Sequence, residues 1–248
     1  MTPLFKAMRH AAIGGGKRLR PLLVKASADL FDVPRGWALR AGLAVECIHV
    51  HSLIHDDLPC MDDDDLRRGK PTVHCAFDEA TAVLAGDSLL ALAFEILSDP
   101  ATHSDPQVRT TLTQTLAKAA GPAGMAGGQM IDLLASGLKL DLEGVGRLQR
   151  LKTGSLIGWC VRAGAVMGQA SIEAHRSLDD YARRVGLAFQ IADDLLDSNG
   201  DEAVTGKRVG KDAPAGKETF VSLLGVDRAR EHAQGLAREA KEDLEPFG

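Results

Sequence analysis

Aromatic side chains are scarce: two Trp, one Tyr and seven Phe make up 4% of the 248 residues. Sheets are enriched in aromatic and β-branched residues, so the scarcity argues against an all-β sandwich. Alanine and leucine together supply 68 residues, a balance that favours helices. The four cysteines (Cys47, Cys60, Cys75 and Cys160) form no CxxC pair, so neither a zinc ribbon nor a disulfide scaffold is indicated and a reducing cytoplasm is the expected compartment. A basic excess is also missing. Lys and Arg number 29 against 34 Asp and Glu, a net charge of −5, so a general nucleic-acid binder is not expected. No apolar run reaches the ~20 residues that span a bilayer, and the longest, from Ala82 to Leu97, contains Asp87. The N-terminal stretch MTPLFKAMRH lacks the apolar centre of a signal peptide.

With 45% hydrophobic and 25% charged residues the chain can bury a full core. Apolar residues recur with helical spacing over Pro21–Phe31, Trp37–Leu58, Phe77–Leu97, Gln107–Ala119, Leu142–Ala170, Ser177–Leu196 and Val221–Leu244. These segments are separated by glycine, proline or acid clusters, and hairpin signals are lacking. The expectation is an all-α helical bundle, a single domain over residues 1–248. Residues 199–216, rich in Gly, Lys and Asp, are the expected mobile loop.

The densest feature is HDDLPCMDDDDLRRGKP, His55 to Pro71, with six acids from Asp56 to Asp65 followed by Arg67, Arg68 and Lys70. A charge run is ordinarily a solvated face. Here, however, Asp56 and Asp57 close a long apolar helix, because Pro59 disfavours helical geometry at Leu58. Carboxylates in that position face the negative end of the helix dipole, which a bound cation would offset. A second acid group, DDLLD from Asp193 to Asp197, sits in the apolar run LAFQIADDLLD. Asp193 and Asp197 share a helix face, and like charges at this spacing destabilise a helix. A cation is again the remedy, and hard oxygen ligands without His or Cys suit Mg²⁺, which retains waters and commonly also binds substrate phosphates.

Phosphate needs basic partners as well. GGGKRLRP, Gly14 to Pro21, places Lys17 and Arg20 around a helix start, where free amide groups favour anions. Arg67 and Arg68 provide guanidinium forks. Lys152, Lys207 and Lys217 follow in KTGSLI, TGKR and AGKET; each alone would be an ordinary surface lysine, and they gain meaning only as a set.

In order along nearly the whole chain, GGKRLRP, SLIHDDLPCMDDDDLRRGKPTVH, GMAGGQMIDL, KTGSLI and FQIADDLLD resemble the trans-isoprenyl diphosphate synthases, with the greatest likeness to those making farnesyl diphosphate in bacteria. The resemblance implies a helical fold around a central active-site cavity. It implies Asp56, Asp62, Asp193 and Asp197 as ligands of about three Mg²⁺ ions, supported by Asp57 and Asp194. Lys17, Arg20, His49 and Arg68 would bind the diphosphate of isopentenyl diphosphate; Arg67, Lys152, Lys207 and Lys217 would bind that of the allylic substrate. Thr153, Gln190 and Lys152 would lie along the allylic cation. Pyrophosphate would take up the final proton, so no protein base is required, and a homodimer is the usual assembly. His51 and Ser52, five and four positions before Asp56, would form the floor that sets product length. His51 is bulkier than the residues of long-product enzymes and smaller than tyrosine, which favours a C15 product and leaves C20 open.

A terpene cyclase would share the fold and a DDxxD motif, but ten aromatics leave few rings to line a cation pocket. An HD-type phosphohydrolase could use His51, His55 and Asp56, and leaves DDLLD and GGKRLRP unexplained. A non-enzymatic helical protein with acid clusters would leave the basic blocks without a purpose. Relatives usually carry a longer helical lead before GGKRLRP, a final helix and a basic tail, so shortened or missing terminal helices are expected.

Overall fold

The computed structural model describes residues 2–13, 15–135, 139–198 and 218–248. They form twelve α-helices: α1 Pro3–Ala12, α2 Leu19–Asp29, α3 Arg35–Asp56, α4 Val73–Ala76, α5 Glu79–Ser98, α6 Pro106–Ala120, α7 Met125–Ala135, α8 Leu142–Gln149, α9 Ser155–Met167, α10 Ile172–Ser198, α11 Phe220–Leu224 and α12 Val226–Glu242. A π-turn, Arg150–Gly154, joins α8 to α9. The all-α expectation holds.

Helix starts follow side-chain chemistry. The Asp78 carboxylate accepts from the Thr81 amide at 2.7 Å, Asp105 from Gln107 at 2.8 Å and Asp141 from Gly144 at 2.8 Å, each satisfying an amide that the first helical turn leaves open. α3 is largely enclosed from Ala44 onward, while Leu39 and Leu43 are exposed; it packs against α2 and α5, and α2 packs on α9. Val45, Ile48, Val50, Leu97, Leu112, Leu116, Leu156 and Trp159 fill the main core. A smaller core of Val145, Ile191, Phe220 and Ala229 binds α8, α10, α11 and α12.

Four features depart from expectation. A two-stranded antiparallel hairpin, β1 Leu66–Arg67 and β2 Lys70–Pro71, follows the acid loop. Its connection, Arg68–Gly69, has φ of 53° and 73°, the left-handed pair that a two-residue hairpin turn requires. α1 and α7 arise outside the segments read as helical from the sequence. The stretch 142–170 is broken by the π-turn, and 221–244 by Gly225 at φ 81°. α5 is 20 residues long and apolar enough by length and composition to cross a membrane; it carries Asp87 and Glu95 and packs along α3 as a core helix. All four cysteines carry free thiols. The expected mobile loop, residues 199–216, lies outside the described residues.

Candidate active site

α3 ends at Asp56, with Asp57 as its cap residue. The chain then folds back: Asp62 N–H donates to the Asp56 carbonyl at 2.8 Å, Asp63 N–H to Leu58 at 3.2 Å and Asp64 N–H to Asp57 at 3.2 Å. The intervening Leu-Pro-Cys-Met therefore returns Asp62 to the side of Asp56. Burial pushes the Asp56 carboxyl up to about 6; Lys152 opposes the rise, while Asp62 and Asp57 add to it.

Asp57 is 3% exposed, and its Oδ1 accepts from Arg67 Nε at 2.6 Å. Burial nevertheless outweighs the guanidinium and holds this carboxyl at about 6. Arg67 also reaches Asp64 at 3.6 Å. Asp57 and Arg67, expected as metal support and substrate ligand, are thus engaged with each other across the acid loop.

Lys152 and Thr153 lie in the π-turn, a device common at functional sites because it shifts the helical register locally. Lys152 Nζ donates to Asp132 Oδ2 on α7 at 2.7 Å. The two elements meet at Gly128, where a Cβ would fall 2.2 Å from the Lys152 backbone nitrogen. Asp132 and Gly128, in the GMAGGQMIDL block, were not singled out as site residues from sequence; the glycine-rich spacing was the available signal. The π-turn also approaches α10, where a Cβ on Gly186 would lie 3.5 Å from the Gly154 Cα.

Gln190 is buried within α10. Asp193 is exposed one turn later, and Asp194 Oδ2 accepts from the Phe220 amide at 3.0 Å, capping α11. Asp197 completes this block on α10. Lys207 and Lys217 lie outside the described residues.

A cationic cluster surrounds His49. Burial and then Arg20, Arg68, Arg67 and Arg18 push its pKa well below the usual imidazole range, so the ring is neutral. Arg20 Nε is buried without a partner, an orphaned donor of the kind that a bound anion or a water would satisfy. Lys17 is exposed on the adjoining loop.

Of the two floor residues, Ser52 turns its hydroxyl to the His49 carbonyl at 2.9 Å. The His51 ring instead packs edge-on against His55 at 4.6 Å. Burial and His55 push its pKa down to about 4, against Gly86 and Asp87, and its Nδ1 is buried without a partner. His55 contacts the Val83 carbonyl at 3.1 Å, a placement that suits an α5 anchor and argues against a phosphohydrolase metal ligand.

Two clefts flank this arrangement. One of about 40 Å³ is lined by Asp57, Arg67 and Arg68; another of about 240 Å³ lies between the π-turn, α9 and α10. Neither is lined by Asp56 or Asp193, so the cavity expected between the acid blocks is neither of these.

Among the described residues, no three His, Cys, Asp or Glu side chains form a closed metal cage. Asp56 and Asp62 form an open, all-oxygen donor set, which fits Mg²⁺ because that ion keeps waters and shares phosphate oxygens with few carboxylates.

The polyprenyl synthetase family model matches residues 2–245. The chain belongs to the polyprenyl synthetase family. As a member of it, the chain is 49% identical to farnesyl diphosphate synthase of Escherichia coli (strain K12) over 248 residues, covering 98% of this chain and 82% of the relative. An FPP/GFPP synthase structure from Zymomonas mobilis superposes with a TM-score of 0.90 at 58% identity, covering 99% of this chain and 83% of the other. A geranyltransferase from Helicobacter pylori, complexed with magnesium and isoprenyl diphosphate, gives 0.88 at 36% identity, covering 98% and 82%. The polyprenyl synthetase assignment makes the chain a trans-prenyltransferase and removes the cyclase and phosphohydrolase alternatives.

Proposed function

We propose that this prenyltransferase condenses isopentenyl diphosphate head to tail with dimethylallyl and then geranyl diphosphate, releasing farnesyl diphosphate. The observation that carries the reading is the arrangement on α3. A cationic cluster surrounds His49, and an acid site with Lys152 near it surrounds Asp56, seven residues further on, or about 10 Å along the axis. That separation suits two diphosphates bound side by side.

In this reading Lys17, Arg20, His49 and Arg68 hold isopentenyl diphosphate. Lys152, with Arg67, Lys207 and Lys217, holds the allylic diphosphate, and Asp56, Asp62, Asp193 and Asp197 take about three Mg²⁺ ions, with Asp57 and Asp194 in support. Mg²⁺, when bound, supplies neutralisation of charge on the departing diphosphate. The allylic C1–O bond breaks with its electron pair on the leaving group. Lys152 stabilises that charge, while the Thr153 carbonyl and the Gln190 amide favour the cation. The double bond of isopentenyl diphosphate then forms the new bond to C1, and pyrophosphate takes the proton lost.

The test uses labelled isopentenyl diphosphate with each allylic primer in turn, with Mg²⁺ or EDTA, followed by product sizing. Mg²⁺-dependent C15 is expected; no elongation with any primer overturns the reading, and a predominant C20 product overturns the chain-length assignment. His51→Ala is expected to lengthen the product, because the His51 ring stands between α3 and α5. Unchanged product length would remove His51 as the floor. The same reading treats residues 1–248 as a single domain that pairs as a homodimer in the cytoplasm. Val83 and Leu84, 40% and 56% exposed on α5, support the pairing, and light scattering in solution tests it.

A further inference from the structure

Glu46 is 7% exposed and lies one helical turn before His49 on α3. A carboxylate buried there is costly unless paired. Its partner is Arg18, whose guanidinium bonds Glu46 Oε1 and donates through its other terminal nitrogen to the Ala12 carbonyl at 2.7 Å. One side chain therefore ties the end of α1 and the loop before α2 to the middle of α3.

The backbone at Arg18 explains why a tie is needed. Arg18 has φ 51° and ψ 33°, a left-handed conformation that is unfavourable for a residue with a Cβ. Such strain persists only where the surroundings hold it. Its consequence is directional: Arg18 is the turn between Lys17 and the first residues of α2, so its conformation sets where Lys17 and Arg20 stand. The hairpin completes the enclosure. Arg68 donates to the Gly15 carbonyl at 3.0 Å, and its guanidinium occupies the space a side chain on Gly16 would fill, Cζ lying 2.5 Å from the Cβ position. The loop from Gly15 to Arg18 is thus clamped from α3 by Glu46 and from the hairpin by Arg68. Arg20 Nε remains buried and without a partner inside the clamp.

We propose that Arg18 and Glu46 are a positioning pair that presents Lys17, Arg20 and Arg68 to the diphosphate of isopentenyl diphosphate, without touching that substrate themselves. The proposal rests on the function given above and adds two residues to it. A rival physical effect points the other way. Glu46 is a negative charge near Arg20, Arg68 and His49, so if it acted only through its field, removing it would tighten binding of an anion.

The sign of the effect decides between them. Glu46→Gln preserves shape and removes the ion pair; Arg18→Met removes the same tie from a half-exposed position and serves where the buried variant fails to fold. With geranyl diphosphate saturating, either variant is expected to raise KM for isopentenyl diphosphate about tenfold or more, because small misplacements of binding groups carry large penalties. KM for geranyl diphosphate and kcat should change less than threefold. Arg18→Lys should recover part of the loss, and the exchanged pair Arg18→Glu with Glu46→Arg more than either single reversal. An unchanged or lowered KM for isopentenyl diphosphate, an equal rise for both substrates, or a fall in melting temperature alone would overturn the proposal. Calorimetry with inorganic pyrophosphate in EDTA separates this question from turnover: wild-type binding about tenfold tighter than Glu46→Gln supports the pair even if no condensation occurs, and equal binding sinks it.

Discussion

The two acid blocks close their helices differently. At the end of α3 the fastening stays within the block: the Asp57 and Arg67 side chains pair, Arg67 reaches Asp64, and a backbone bond returns Asp62 to Asp56. At the end of α10 a side chain does it by reaching the backbone amide of a distant helix. Asp194 accepts the Phe220 amide and joins α10 to the start of α11 across 26 positions of sequence. In each block one member of the Asp-Asp pair is engaged with the scaffold, while its neighbour stands on a separate part of the helix end. Under the proposed function an adjacent pair of carboxylates would thus divide between holding structure and meeting a ligand. The first block is assembled from groups within 12 residues of one another, whereas the second depends on packing between distant elements.

The largest expected effect breaks that division of labour. Asp56→Asn should lower kcat/KM about 10³-fold, or ~4 kcal/mol, with little change in melting temperature. Asp193→Asn should behave alike. Asp57→Asn and Asp194→Asn should each cost about tenfold or less, because the engaged member acts through position. Steady-state kinetics at saturating Mg²⁺ make the comparison; equal losses within each pair would refute the division.

Next in size is Gly128→Ala. The π-turn stands between the blocks, near Asp56 through Lys152 and against α10 through Gly154. A Cβ on Gly128 would meet Lys152 backbone at 2.2 and 2.6 Å, where no flexible side chain can yield. The π-turn must move, taking Lys152 from Asp132, and kcat should fall about 10²-fold. Near-wild-type kcat would show that the π-turn tolerates displacement and that the two blocks do not depend on it.

What the sequence made legible follows from where the information sits. α3 and α5 were readable because apolar side chains repeat along them, and Asp56 and Asp62 because like charges accumulate against helix preference. α7 was not, since GMAGGQ has the glycines of a loop; the reason for Gly128 is contact with a segment 24 residues away. The hairpin escaped because two-residue strands are defined by backbone conformation at Arg68 and Gly69 and carry no hydropathy pattern. The π-turn is a slip of register that helical periodicity does not encode. Asp132 became a site residue only when tertiary structure placed it at Lys152. Composition shows a similar division: the nine acids of the two blocks account for the mild acidity, since removing them leaves 25 acids to 29 bases.

A smaller effect compares the partners within the first block. Arg67→Gln leaves Asp57 buried opposite no cation, which should cost about 3 kcal/mol and lower the melting temperature by roughly 6–12 °C. Asp57→Asn keeps an acceptor for Arg67 Nε and removes a charge that burial already disfavours, so it should cost about 1 kcal/mol. Differential scanning calorimetry without Mg²⁺ reads both. A greater loss for Asp57→Asn would mean that the ion pair, and not the enclosure of the carboxylate, governs this corner.

The smallest effect tests the second block's fastening. Asp194→Asn retains an oxygen for the Phe220 amide but gives up the charge that strengthens a carboxylate cap. The first turn of α11 has its own capping box between Thr219 and Ser222, so the helix start keeps most of its satisfied amides. A loss of about 1 kcal/mol is expected, or roughly 2–4 °C. Amide exchange should locate the loss, with faster exchange at Phe220 and little change at Ser222, whose amide is held by Thr219. Uniform acceleration through α11 and α12 would instead make Asp194 the anchor of the whole C-terminal pair of helices, and the second block would then be fastened by a charge much as the first is.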